Sequence, residues 1–165
     1  MKEEGFLLTL AQVGIAFAGF SGLITVFRKS EKPWTLIEIA AVKLILQHTL
    51  GLFCFSLLPV FIFYWHGSEK QIWRISSIAL AGFFWVVFVY NWQQLRRLTK
   101  DGHVPAHPKM LKRIFFPKTA AAGILQIFNI FFDQFLLYSI GLACLIFSAV
   151  IQFWVSTMRH TSNEQ

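Results

Sequence analysis

Four stretches of this chain run for more than twenty residues without a charged side chain: Gly5 to Phe27, Leu44 to Ser68, Ile75 to Leu95 and Gln134 to Met158. At 1.5 Å per residue, about 20 apolar residues cross the ~30 Å hydrocarbon layer of a bilayer, so each stretch reads as a transmembrane helix. Lipid offers no partner to a free backbone N–H or C=O, and no strand-like alternation is present, so helices are expected. The chain is 56% apolar and 14% charged, with 19 Phe and six Trp. Soluble domains carry about 45–50% and about 25%. These figures argue against a water-soluble enzyme, a disordered chain or a small disulfide-stapled domain. The expected fold is all-α: one integral membrane domain over residues 1–165, a four-transmembrane-helix bundle with spans at about 5–27, 44–66, 75–95 and 134–158.

The basic residues predict the orientation. Arg28, Lys29, Lys32 and Lys43 lie between or beside the first two spans, and Arg96, Arg97, Lys100, Lys109, Lys112, Arg113 and Lys118 fall in the basic loop 96–118. Cytoplasmic loops collect Lys and Arg. Both loops are therefore assigned to the cytoplasm, and both termini are expected outside it. On that assignment the cytoplasmic side holds eleven of the fifteen bases against Glu31, Glu38, Asp101 and Asp133, which is the whole +7. The other side has Lys2, Lys70, Arg74 and Arg159 against Glu3, Glu4, Glu69 and Glu164. The first run is read as a retained helix: Lys2 is followed by two Glu, and the run is too long for the apolar part of a signal peptide. Cys54 and Cys144 both lie within spans and read as packing residues.

Two helices are expected to overrun the bilayer into the cytoplasm. Thr35 with Glu38 three residues on, after Pro33, is a capping-box start, which extends the second helix over 35–43. Pro59 should kink or loosen its final turns. Before the fourth span, residues 119–133 carry Gln126, Asn129 and Asp133 on one helical face, with Leu125, Phe128, Phe131 and Phe132 opposite. Two forms fit: one continuous helix from about 119 to 157, which is favoured, or an interfacial helix that bends into the span. A faint repeat at an offset of 90 residues aligns 46–54 with 136–144 and Lys43 with Asp133. An ion pair between those two would join the second and fourth helices.

The polar residues Glu38, Lys43, Gln47, His48, Gln126, Asn129 and Asp133 are read as a cluster near the inner interface, either a polar vestibule or helix ends turning polar as they leave lipid. On the first helix, Gly14, Ala18 and Gly22 form a small-residue stripe suited to close helix approach, within the bundle or at an oligomer seam. Arg96, Arg97, Lys109, Lys112, Arg113 and Lys118 are candidates for contact with anionic headgroups or a soluble partner. His103 and His107 are separated by Pro105, and no Cys or carboxylate completes a metal set. No phosphate-binding glycine loop, zinc-protease pair or flanked serine nucleophile is present. No enzyme, metal or cofactor is expected, and nucleic acid is not expected because the positive-inside pattern already accounts for the bases.

The segment Phe17-Ala18-Gly19-Phe20-Ser21-Gly22-Leu23, with Phe27-Arg28, Trp34 and Leu57-Leu58-Pro59, resembles a widespread group of small bacterial four-span inner-membrane proteins without an assigned activity. The likeness covers about the first sixty residues. It implies a bacterial inner membrane and four spans, and it transfers no catalytic residue. The function expected from the sequence is a homo-oligomeric pore or channel-like assembly, of which a membrane-permeabilising effector is one form. The alternative is a non-conducting anchor or scaffold whose basic face docks a soluble partner or anionic lipid.

Overall fold

The computed structural model describes residues 1–27, 35–66, 68–100 and 115–162. Among the described residues there are five helices: α1 (Glu4–Phe27), α2 (Leu36–His66), α3 (Glu69–Lys100), α4 (Phe116–Phe132) and α5 (Phe135–Ser162). Among the described residues there is no strand. Stretches of α1, α2, α3 and α5 are long and apolar enough to cross a membrane.

The helix boundaries follow local chemistry. At the start of α2 the Thr35 N–H donates to Glu38 Oε2 (2.9 Å) and the Glu38 N–H to Thr35 Oγ1 (3.3 Å), which is the reciprocal capping box the spacing predicts. Helix α3 opens on Glu69 and closes on Arg97 and Lys100, charges that complement the helix dipole. Pro117 sits in the first turn of α4, where its missing N–H costs nothing. Hydroxyls inside the helices turn back on their own backbone, Thr49 to the Ile45 carbonyl, Thr119 to Phe115 and Ser148 to Cys144. Such bonds satisfy polar side chains that have little water to meet.

The long helix expected over 119–157 is two helices. At Asp133 the backbone enters the left-handed region (φ 53°, ψ 40°), the Asp133 N–H closes the last turn of α4 on the Asn129 carbonyl, and the chain reverses within two residues. Helix α5 then runs back along α4: Gln126 Nε2 donates to the Leu137 carbonyl, and Lys118 meets Ser148. Residues 119–133 are therefore not a prolongation of the fourth span.

Helices α2, α3, α4 and α5 close a ring in which each packs on the next, and α1 lies outside it, mainly on α2. Neighbours in the ring run antiparallel, as the pairs Gln47–Asn91, Arg74–Asp133 and Gln126–Leu137 fix. Glu4 of α1 meets Tyr64 near the far end of α2. One end of the bundle thus gathers Glu4, Tyr64, Glu69, Arg74 and Asp133. The other gathers the end of α1, the start of α2, the end of α3, the start of α4 and the end of α5. The first helix begins and the last helix ends at opposite ends of the bundle.

The core is apolar and aromatic: Leu7, Leu52, Ile72, Leu80, Phe84, Leu142 and Leu145 are buried, with Trp73 against the Phe135 ring at 5.2 Å and the Tyr138 ring at 5.8 Å. The outside is also apolar. Every helix exposes large hydrophobic side chains, among them Ile15 and Phe20, Phe61, Val86, Phe131 and Phe147. A soluble domain does not leave such a surface uncovered; a lipid-embedded one does.

Two close approaches hold the helices in register. A Cβ added at Gly14 would lie 2.9 Å from the Phe53 amide nitrogen and 3.0 Å from the Thr49 carbonyl oxygen, so α1 and α2 meet backbone to backbone there. Helix α2 continues through Pro59 to His66. A proline cannot donate to the carbonyl four residues earlier, which is that of Phe55. That carbonyl accepts instead from the Tyr138 hydroxyl of α5, at 2.6 Å.

Candidate functional site

The hydrogen-bonded polar side chains inside the bundle fall mainly into two layers, while the hydroxyls of Ser56 and Ser76 are buried without a partner. The first lies around the α4–α5 turn. Asp133 is gripped by Arg74 on two sides, Nη2 to Oδ2 at 2.8 Å and Nε to Oδ1 at 3.2 Å, and the same guanidinium reaches the Ile130 carbonyl. Beneath that pair Asn129 is fully buried. It donates to Ser77 Oγ (2.8 Å) and to the Gln134 carbonyl (3.0 Å), and it accepts from the Gln134 N–H (2.9 Å). One amide therefore satisfies the backbone of the turn and ties it to α3. Gln126, one helical turn further, bonds the Leu137 carbonyl while its own Oε1 is buried without a partner.

The second layer lies about 22 Å along α4 from Asp133, at 1.5 Å for each of the fifteen residues to Lys118. The Lys118 ammonium donates to Ser148 Oγ (2.6 Å) and stands over the rings of Phe115 (5.7 Å) and Phe147 (5.1 Å). The Ser148 hydroxyl in turn donates a hydrogen bond to the Cys144 carbonyl. The Phe115 ring also meets the His48 ring edge-on at 5.6 Å. His48 is buried, and its Nδ1 lies 2.7 Å from the Leu44 carbonyl. A carbonyl only accepts, so Nδ1 carries a hydrogen and donates it to this bond. Beside them Asn91 reaches Gln47 at 3.4 Å. Gln152, one turn beyond Ser148 on the same face of α5, has both amide atoms buried with no hydrogen-bond partner.

The residues expected to form one vestibule are therefore divided. Gln47 and His48 belong to the second layer, Gln126, Asn129 and Asp133 to the first, and Glu38 caps α2. Lys43 is exposed on α2, toward the end of the bundle remote from Asp133, so the expected Lys43–Asp133 pair does not form; Arg74 takes its place. On α1, Gly14 is consumed by packing on α2, Ala18 is half-buried, and a Cβ at Gly22 would meet nothing within 4 Å. Arg96 is exposed with its guanidinium over Trp92 at 5.1 Å, and Arg97 is exposed as well. Lys109, Lys112, Arg113 and the two loop histidines lie outside the described residues. Among the described residues no group of His, Cys, Asp and Glu could hold a metal.

Sequence reasoning missed Arg74 as the partner of Asp133, and it missed Ser77, Asn91, Tyr138 and Ser148 altogether. Each is a hydrogen-bonding side chain inside an apolar run, a signal that was available. Lys118, grouped by sequence with the basic loop, stands in the first turn of a helix. The chain matches no known family model, and neither characterised proteins nor solved structures give a match.

Proposed function

We propose that this is a bacterial inner-membrane protein with five helices at membrane depth, a non-conducting anchor whose basic cytoplasmic end engages anionic lipid. Helix α4 enters the membrane in this reading because of how its faces are arranged. Its buried side carries Thr119, Ala122, Gly123, Gln126 and Asn129, while Ile124, Ile127, Phe128, Phe131 and Phe132 are exposed. A water-facing helix has the opposite arrangement. Its 17 residues reach about 25 Å, within the range of membrane-crossing helices. Five crossings put residue 1 outside and the end of α5 in the cytoplasm. Assigning each joining segment to the end where its flanking helices stop collects twelve Lys and Arg against four acids at the cytoplasmic end. The outer end has three bases against four acids, and the two together make the +7. The orientation signal is stronger than with both termini outside. The first turns of α2, residues 36–43, are then the part of that helix standing in the cytoplasmic headgroup region.

The observation that carries the non-conducting reading is the apolar layer between the two polar ones. Leu52, Leu80, Phe84, Leu142 and Leu145 are at most 2% exposed and close the interior of the ring. A permeation path cannot cross such a layer within one chain, so the pore expected from the sequence would have to form between copies. Reconstitution into liposomes tests this. The purified protein should leave an ion gradient intact and should retain phosphatidylglycerol in preference to phosphatidylcholine. Sustained ion flux together with a ring-shaped oligomer in detergent would overturn the reading in favour of a homo-oligomeric pore. Stoichiometric co-purification of a soluble protein would shift the role of the basic end from lipid to that partner.

A further inference from the structure

The geometry points to a built site for one lipid phosphate at the seam of α4 and α5, with Lys118 as its cation; this rests on the placement of α4 at membrane depth. Depth is the first observation. The charges Arg74 and Arg96 bound the apolar stretch of α3 and stand 22 positions apart, about 33 Å at the helical rise. That is the thickness of the hydrocarbon layer. Lys118 stands about 22 Å from Asp133 along α4, which puts it about 10 Å inside the cytoplasmic boundary. A lysine this deep ordinarily extends toward water. Here the Ser148 hydroxyl, at about the same depth on α5, holds the ammonium at 2.6 Å and keeps it level with its own helix turn.

The second observation is charge. Among the described residues no carboxylate pairs with Lys118; its contacts are one hydroxyl and two aromatic rings. A lone cation in lipid is costly, and it is found where it has an anionic partner. The hydroxyl uses one of the three N–H donors. The third observation is access. Phe147, whose ring the ammonium stands over, is 55% exposed on the lipid-facing surface of α5. A phosphate in the cytoplasmic leaflet can reach the remaining donors from the bilayer. An anion from the interior would have to pass Phe115 and His48, which are packed together. The occupant is therefore an anionic phospholipid, drawn a little below its neighbours. Its acyl chains would lie along Phe147 and Val150, both exposed.

Native mass spectrometry of the full chain released from nanodiscs of mixed phosphatidylglycerol and phosphatidylcholine tests the site. The unmodified protein should retain one phosphatidylglycerol after the others are stripped. Lys118→Gln should lower that retained fraction about tenfold, and Lys118→Arg should keep it. Arg96→Gln, on an exposed surface charge, should leave the tight lipid in place while reducing the loosely held ones. Millimolar inorganic phosphate should not displace the lipid; displacement would assign the site to soluble phosphate and overturn a lipid occupant. Equal retention by the unmodified chain and Lys118→Gln would overturn the site alone. No preference for phosphatidylglycerol in any variant would overturn both the site and the wider reading of the basic end. Should Lys118→Gln fail to fold, a photo-crosslinkable phosphatidylglycerol on the unmodified chain gives the same decision. Labelling of the α5 peptide that contains Phe147 supports the site, and labelling confined to other helices overturns it.

Discussion

The Tyr138–Phe55 hydrogen bond, at the carbonyl that Pro59 leaves without an in-helix donor, permits a sharp quantitative test of the packing. Proline at 59 withdraws the N–H that would close on the Phe55 carbonyl, and the Tyr138 hydroxyl supplies the replacement from another helix at 2.6 Å. Tyr138→Phe therefore leaves a carbonyl without a partner inside an apolar bundle, at a cost of about 1–3 kcal/mol. Pro59→Ala restores the in-helix donor. In that background the carbonyl keeps a partner when the tyrosine hydroxyl is lost, and Tyr138→Phe should cost only the net value of one hydrogen bond, about 0.5–1.5 kcal/mol. The small void left by removing the proline ring is present in both members of that pair and cancels. The coupling expected from the double-mutant cycle is about 1 kcal/mol. Unfolding of the four proteins by sodium dodecyl sulfate in mixed micelles, followed by far-ultraviolet circular dichroism, measures it. If Tyr138→Phe costs the same in both backgrounds to within about 0.3 kcal/mol, the hydroxyl is not substituting for the missing donor and the reasoning fails.

Three further outcomes follow from the same packing. Gly14→Leu should destabilise the bundle by about 2 kcal/mol or more, because the added carbons meet the backbone of α2, whereas Gly22→Leu should gain about 1 kcal/mol from helix propensity; micelle unfolding gives both signs. Asn129→Ala should cost about 1–3 kcal/mol and raise hydrogen exchange at the Gln134 amide, which loses its acceptor. Exchanging the charges of Arg74 and Asp133 should restore most of what either single reversal loses. The same exchange between Lys43 and Asp133 should restore nothing, and because Arg74 is half exposed the pair itself is worth at most about 1 kcal/mol.

Much of the fold could be read from the residues. The apolar runs gave the four long helices, and the Thr35–Glu38 spacing located the start of α2, since a capping box depends on neighbours in sequence alone. The reversal at Asp133 depends on more. Asp133 is the one charge between Thr119 and Met158, and a helix running through it satisfies local propensity. What breaks it is the Asn129 side chain bonding both backbone groups of Gln134 and reaching Ser77 on another helix, which is tertiary information. Asn129, Asp133 and Gln134 in sequence were nonetheless a turn signal, because Asn and Asp bond nearby backbone and Asp tolerates the left-handed region. The shared face of 126, 129 and 133 is legible in the sequence, but its place in the bundle is not: a helix running straight into the fourth span puts Asp133 beside the basic end, whereas the reversal at Asp133 puts it beside Arg74 at the opposite end. Lys118 was obscured for the same reason, since a basic residue near a basic loop reads as a surface charge until the helix that holds it is known to fold back.

The central claim is that five helices, not four, lie across the bilayer, and the parity of that number can be measured directly. Single cysteines at positions 2 and 162, in a chain with Cys54 and Cys144 replaced by serine, can be labelled with a membrane-impermeant maleimide in right-side-out and inverted vesicles. The expected result is that position 2 reacts only from the outside and position 162 only from the cytoplasmic side. Reaction of both from the same face would mean an even number of crossings and would contradict the placement of α4 in the membrane.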